Sequence, residues 1–135
     1  MIGTPAQDAF ISKNNAAIVT TVRKDGSPTS SLISYMRDGD DLLFSTMASR
    51  LKAKTLKNDA RIAFCVISRD AASYVSIEGT GTIETDDIVA KHVALNTAMR
   101  GGNFTPPEGF GERLRNEGRV IIRVRAKRVS GVIRS

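Results

Sequence analysis

Chemistry in this chain concentrates in Leu42 to Arg61, LLFSTMASRLKAKTLKNDAR. The stretch opens as an apolar strand, turns at Ser45-Thr46 and continues as a basic helix carrying Arg50, Lys52, Lys54 and Lys57. A helix start has unpaired N–H groups and a partial positive charge from the helix dipole, so cations placed there favour an anion. Arg50, Lys54 and Lys57 fall at i, i+4 and i+7 on one stripe, and Lys52 lies roughly 200° around from Arg50. Arg50 and Lys52 can share one anion only if Arg50 belongs to the turn and Lys52 opens the helix. A solvated basic face is the competing reading of the same spacing.

Other chemistries lack their residues. His92 is the one histidine and Cys65 the one cysteine. Together they give no metal constellation, no intrachain disulfide and no CxxC pair. No GxSxG elbow is present. Cys65 sits in the apolar run Ile62–Ile67 and reads as a small packed hydrophobe. His92 falls on the stripe Ile88, His92, Leu95, Met99 and reads as a core-edge residue. Glu78 lies in mid-strand beside Gly79, where an interior acid and a solvent-facing one are equally compatible with the pattern. A basic domain without a catalytic side-chain set is either a binding module or a protein whose cofactor carries the chemistry.

These residues need positioning elements. Thr4-Pro5 reads as an N-cap with proline at the first helical position, opening a helix to about Lys13 that buries Ala9 and Phe10. Ala16 to Arg23 is a β-branched strand, and Asp25-Gly26 marks a hairpin. The next strand, Thr29 to Met36, places Ser30, Leu32, Ser34 and Met36 on one face and Ser31, Ile33 and Tyr35 on the other. Arg37 to Asp40 turns into Asp41 to Ser45. After the basic helix, Ala60 to Ser68 reads as a strand buried on both faces. Ser73 to Glu84 is a long strand in which Gly79 and Gly81 mark a bend or a close backbone approach. A helix from Thr85-Asp86-Asp87 to about Met99 follows, then an irregular loop over Arg100 to Gly109. A helical turn or two spans Phe110 to Asn116. The last strand, Arg119 to Val132, has the alternating cations of a half-buried edge strand. Short turns and six strands, with no βαβ alternation and no GxGxxG, predict a small, mostly antiparallel barrel in one domain rather than a Rossmann sheet.

The chain has 135 residues, 41% hydrophobic content and a formal charge of +6. The charge points to an anionic partner, whether nucleic acid, acidic lipid or a polyanionic small molecule. No apolar run is long enough for a membrane helix, and the first residues lack the features of a secretory signal, so a cytoplasmic address is the default expectation. Aromatic content of 5% with no Trp argues against stacking of bases, and so against a nucleic-acid-binding barrel.

Two long blocks carry a resemblance. Ile18 to Tyr35, IVTTVRKDGSPTSSLISY, and Leu42 to Val66, LLFSTMASRLKAKTLKNDARIAFCV, resemble the split β-barrel flavin and deazaflavin oxidoreductases. These are relatives of pyridoxine 5′-phosphate oxidase, and the closer match is the branch dependent on the deazaflavin coenzyme F420. The strand SYVSIEGTGTIE and the terminal RVIIRVRAKRVSG extend the match over most of the chain. The resemblance implies a mainly β fold with helices, a six-stranded antiparallel split barrel over residues 1–135. It implies that Arg50 and Lys52 bind the cofactor phosphate, with Ser45 and Thr46 at the strand end beside it, and that Leu32, Ile33, Ser34 and Tyr35 lie against the tricyclic ring. It further implies a homodimer with the cofactor in a groove between subunits.

The charge favours F420 over FMN. F420 carries a phosphodiester and an oligoglutamate tail, which Lys54 and Lys57 are placed to meet. An FMN-dependent oxidase or reductase of the same fold is the alternative. Two positions depart from the family pattern: Thr55 stands where Asn is frequent, and no Trp precedes Tyr74.

Overall fold

The computed structural model describes residues 1–134. Helix α1, Pro5–Lys13, starts as its sequence directs. Thr4 Oγ1 accepts from the Gln7 amide at 3.2 Å and Gln7 Oε1 accepts from the Thr4 amide at 2.9 Å, a reciprocal capping box. The helix buries Phe10 and Ile11; Ala9, expected inside, is exposed.

Strands β1, Ala16–Val22, and β2, Pro28–Ser34, form the predicted hairpin. Its turn is fixed by Asp25, whose Oδ1 accepts from the Ser27 amide at 2.9 Å and the Ser27 hydroxyl at 2.6 Å. Gly26 supplies the positive φ of 87°. The second strand does not continue to Met36. Tyr35 interrupts it, and β3, Met36–Asp38, begins beyond.

The interruption has a packing cause. The Tyr35 ring turns into the core, edge-on to Phe64 with centroids 5.3 Å apart, and its hydroxyl donates to the Ile11 carbonyl at 2.7 Å. Its amide donates to Asn15 O at 3.0 Å. One expected strand thus becomes two, and the sheet has seven strands rather than six.

Strand β4, Asp41–Met47, runs through Ser45 and Thr46, so the turn comes later, at Ala48 to Arg50. Helix α2 is Leu51–Asn58, β5 Arg61–Ile67 and β6 Tyr74–Glu84. Helices α3, Ile88–Met99, and α4, Phe110–Glu117, precede the long β7, Arg119–Val132. The strand order is β2-β1-β5-β6-β7-β4-β3, with every pairing antiparallel. β2 and β3 follow one another in sequence yet lie at opposite ends of that order. The sheet therefore curls until its ends nearly meet at Tyr35, which is a split barrel.

Phe44, Phe64, Val19, Ile77 and Ile122 fill the barrel, and Leu56 of α2 closes one end over Gly81. A second cluster, Leu43, Leu95 and Ile121, seats α3 on the outer face of β4 and β7. Gly79 marks the close approach its position predicts: a Cβ there would collide with the Arg125 carbonyl, next to the bulge between Glu78 and Gly79. Among the described residues no helix is long and apolar enough to cross a membrane.

Candidate anion and cofactor site

The turn from β4 to α2 is held from outside, by the Ala48 amide donating to Gly118 O at 2.8 Å. Arg50 then occupies the N-cap position in extended conformation, φ −73° and ψ 152°, and its side chain caps nothing. Lys52 is the second helical residue. The first turn of α2 carries no acid. Arg50 is thus pre-helical, the condition under which the two cations can share a ligand.

Lys52 lies at the margin of the buried helix face formed by Ala53, Thr55 and Leu56. Burial holds its ammonium below the usual lysine range, and the charges of Arg50 and Arg119 lower it further. Arg119 opens β7, directly opposite Met47 at the end of β4. The structure thereby adds a third cation to the predicted pair. No carboxylate among the described residues pairs with Arg50 or Lys52, and Arg119 has only Glu117, at 3.6 Å. Three cations at the positive end of a helix repel one another and the dipole. A bound phosphate removes that cost, so the donor set fits a phosphate-bearing group. Lys54 and Lys57 are exposed on the outer side of α2, away from this cluster's buried edge.

Beside the cluster lies a pocket of about 320 Å³ between β2, β4, α3 and α4. Arg119 lines it, as do Arg113, Ser45 and His92. Ile33 and Ser34 contribute from the end of β2, and Leu95, Phe110 and Leu114 form its apolar wall. Of the four predicted ring-contacting residues the structure brings two here. Leu32 shares the outward face of β2 with Ser34 but does not line the pocket and is 68% exposed, while Tyr35 is spent in the core.

Ser45 and Thr46 also part company. Successive strand residues face opposite sides. Ser45 shares the α3 side with Leu43, whereas Thr46 is buried on the barrel side with Leu42 and Phe44. Only Ser45 reaches the pocket.

His92 is buried rather than at the core edge. Its Nδ1 lies 2.7 Å from the Ile88 carbonyl and its Nε2 lies 2.6 Å from Ser45 Oγ. Burial lowers its pKa, and the Arg119 charge adds to this. Ser45 and His92 are far apart in sequence, and no spacing signals their meeting. Arg119 was equally hidden, since its charge merged with the alternating cations of β7. Glu78 resolves to solvent, paired with Arg128 at 3.5 Å on the outer face. Among the described residues no group of His, Cys, Asp and Glu is placed to hold a metal.

Fold and site together define a split-barrel protein with a phosphate-compatible cation cluster beside a mixed polar and apolar pocket. The family model described as pyridoxamine 5′-phosphate oxidase matches residues 4–133, and the chain belongs to that family. It is 27% identical over 124 residues to the F420H(2)-dependent biliverdin reductase of Mycobacterium tuberculosis (strain CDC 1551 / Oshkosh), covering 91% of this chain and 83% of that protein. A solved structure described as an F420 reductase aligns with a TM-score of 0.76 and 26% identity over 95% of this chain and 98% of the other. A pyridoxamine 5′-phosphate oxidase-like structure from Listeria innocua aligns with a TM-score of 0.68 over 94% of this chain and 98% of that one. At 15% identity it supports the fold alone.

Proposed function

We propose that this protein is a deazaflavin-dependent reductase that binds coenzyme F420. The observation that carries the reading is the cation cluster of Arg50, Lys52 and Arg119 at the start of α2, in which only Arg119 has a carboxylate partner among the described residues. The similarity to relatives described as F420-dependent favours F420 over FMN. When bound, the reduced cofactor supplies a hydride to an unsaturated small molecule.

The chain's own part is binding and orientation. Arg50, Lys52 and Arg119 neutralise the phosphate, aided by the free N–H groups of α2. Ile33 and Ser34 border the ring, and the apolar wall of Leu95, Phe110 and Leu114 keeps water from the acceptor. Exposed Lys54 and Lys57 suit the acidic tail. A homodimer is part of the proposal. Leu32 and Ile18 pair across β2 and β1 on the outer sheet face and are 68% and 40% exposed, with half-buried Cys65 beside them. A second copy would cover this apolar row, and a cytoplasmic location accords with the reading.

Fluorescence titration of the purified protein with F420 and with FMN tests the proposal. Saturable F420 binding that Arg50→Ala and Lys52→Ala each weaken at least tenfold is expected. Tighter binding of FMN than of F420 would transfer the reading to an FMN enzyme, and wild-type affinity in both variants would remove the cluster from it.

A further inference from the structure

The Ile88 carbonyl can only accept a hydrogen bond, so the proton on the neutral His92 ring sits on Nδ1. Nε2 is then an acceptor, and the Ser45 hydroxyl must donate its single proton to it across 2.6 Å. Ser45 Oγ has only lone pairs left for the pocket. Burial of His92 to 3% exposure keeps the ring neutral at pH 7. The charged groups facing it are Arg119 at the start of β7 and Glu117 and Arg113 on α4; β4 contributes Ser45 and no charge.

We propose that His92 is a positioning residue that makes Ser45 a hydrogen-bond acceptor toward the pocket, so that Ser45 selects a ligand N–H or O–H and does not hold phosphate. The inference rests on the reading of this pocket as the flavin or deazaflavin site, and it deepens that reading. It reverses the role that similarity implies for Ser45: a lone pair facing a phosphate oxygen repels it. The phosphate belongs to Arg50, Lys52 and Arg119. The ring imide or a side-chain hydroxyl of the cofactor is the chemistry that suits Ser45. Protonation of His92 would change the pattern, because an imidazolium donates from both nitrogens and frees the Ser45 proton to point at an anion.

As the only histidine, His92 can be read without ambiguity by ¹⁵N NMR of the imidazole nitrogens in the free protein. A protonated Nδ1 with a bare Nε2 at pH 7.5 is expected; a bare Nδ1, or an imidazolium, would overturn the proposal. The second arm compares wild type with Ser45→Ala at pH 7.5, using F420, FMN and inorganic phosphate as probes. The variant is expected to bind the preferred flavin about five- to tenfold more weakly, the worth of one hydrogen bond, and to bind phosphate as wild type does. Equal loss for phosphate and flavin, or no loss for either, would contradict the acceptor role. If wild type binds neither F420 nor FMN, the cofactor reading fails, and the tautomer and phosphate measurements still decide the polarity of Ser45.

Discussion

Thr55 Oγ1 and Thr21 Oγ1 are hydrogen-bonded at 2.8 Å, with both side chains buried, and this contact ties α2 to β1. Thr55 Oγ1 also lies 3.0 Å from the Lys52 carbonyl, so the same hydroxyl links the helix start to the sheet. Thr55, one of the two positions expected to depart from the family pattern, is therefore an anchor for the cation-bearing turn. Thr55→Val leaves the Thr21 hydroxyl buried without a partner and is expected to cost about 1–2 kcal/mol. The double variant with Thr21→Val should lose less than the sum of the two single changes, because no orphaned hydroxyl remains. Urea unfolding of the four proteins checks this; strict additivity would show that the contact has no energetic weight.

On the proposed reading, Lys52 lowers the stability of the free protein and raises its affinity for the cofactor. A cation in the first turn opposes the helix dipole by about 0.5 kcal/mol, and neighbouring Arg50 and Arg119 add repulsion. Lys52→Met, which keeps the buried stem, should raise the melting temperature of the free protein while weakening cofactor binding. A lower melting temperature would mean that Lys52 is structural.

Arg119 was not expected at the site. Arg119→Ala should weaken cofactor binding by about tenfold or more, as loss of a charge-assisted contact does. Lys54→Ala, on the exposed side of α2, should change affinity much less and mainly for forms with a long acidic tail. Calorimetric titration of both variants distinguishes the two roles. Equal losses would spread the phosphate contact over the whole helix.

His92 sets a pH dependence whose sign is fixed. Its folded pKa lies below the ordinary value of 6.5, chiefly through burial. Between those two values the unfolded chain binds the proton and the folded chain does not, so stability rises with pH across this window. The contribution is fully present above about pH 6.5 and is lost as pH falls through the depressed folded value. Denaturation midpoints measured from pH 7.5 downward should fall in wild type, with a shallower slope in His92→Gln over this window. Parallel slopes would show that the ring is not titrating as described.

Gly79 has no room for a side chain against the Arg125 carbonyl. Gly79→Ala should cost about 2 kcal/mol or more, because the neighbouring atom is backbone within the β6–β7 ladder and cannot rotate away. Gly26→Ala, at an open hairpin turn with positive φ, should cost less, about 1 kcal/mol. Thermal melting of the two variants gives the order, and a milder Gly79 change would mean the bulge relocates.

Local signals told the fold well. Capping at Thr4, the Asp25-Gly26 turn and the β-branched run of β1 are written in adjacent residues, and the structure follows them; β5, expected to be buried on both faces, instead alternates buried and half-buried residues because only one of its faces lines the core. Tyr35 escaped because its strand break is caused by a pocket between Phe64 and Ile11, which no local pattern encodes. The site was half legible for the same reason. Arg50 and Lys52 are neighbours in sequence and at the helix start, so their joint role could be framed from spacing plus similarity. Arg119 and His92 reach the site only through the pairing of β4 with β7 and the packing of α3, which are long-range facts.

The place of β7 between β6 and β4 has a consequence for how the protein comes into being. Synthesis runs from the N-terminus, so β4 and β6 emerge first and have no common neighbour until β7 follows. One half of the barrel, β2-β1-β5-β6, can pair by itself, whereas β4 and β3 have only each other. Arg119 arrives with the same strand that joins the halves. Closure of the sheet and completion of the cation cluster thus depend on one and the same strand, and a chain not yet extended through β7 has neither.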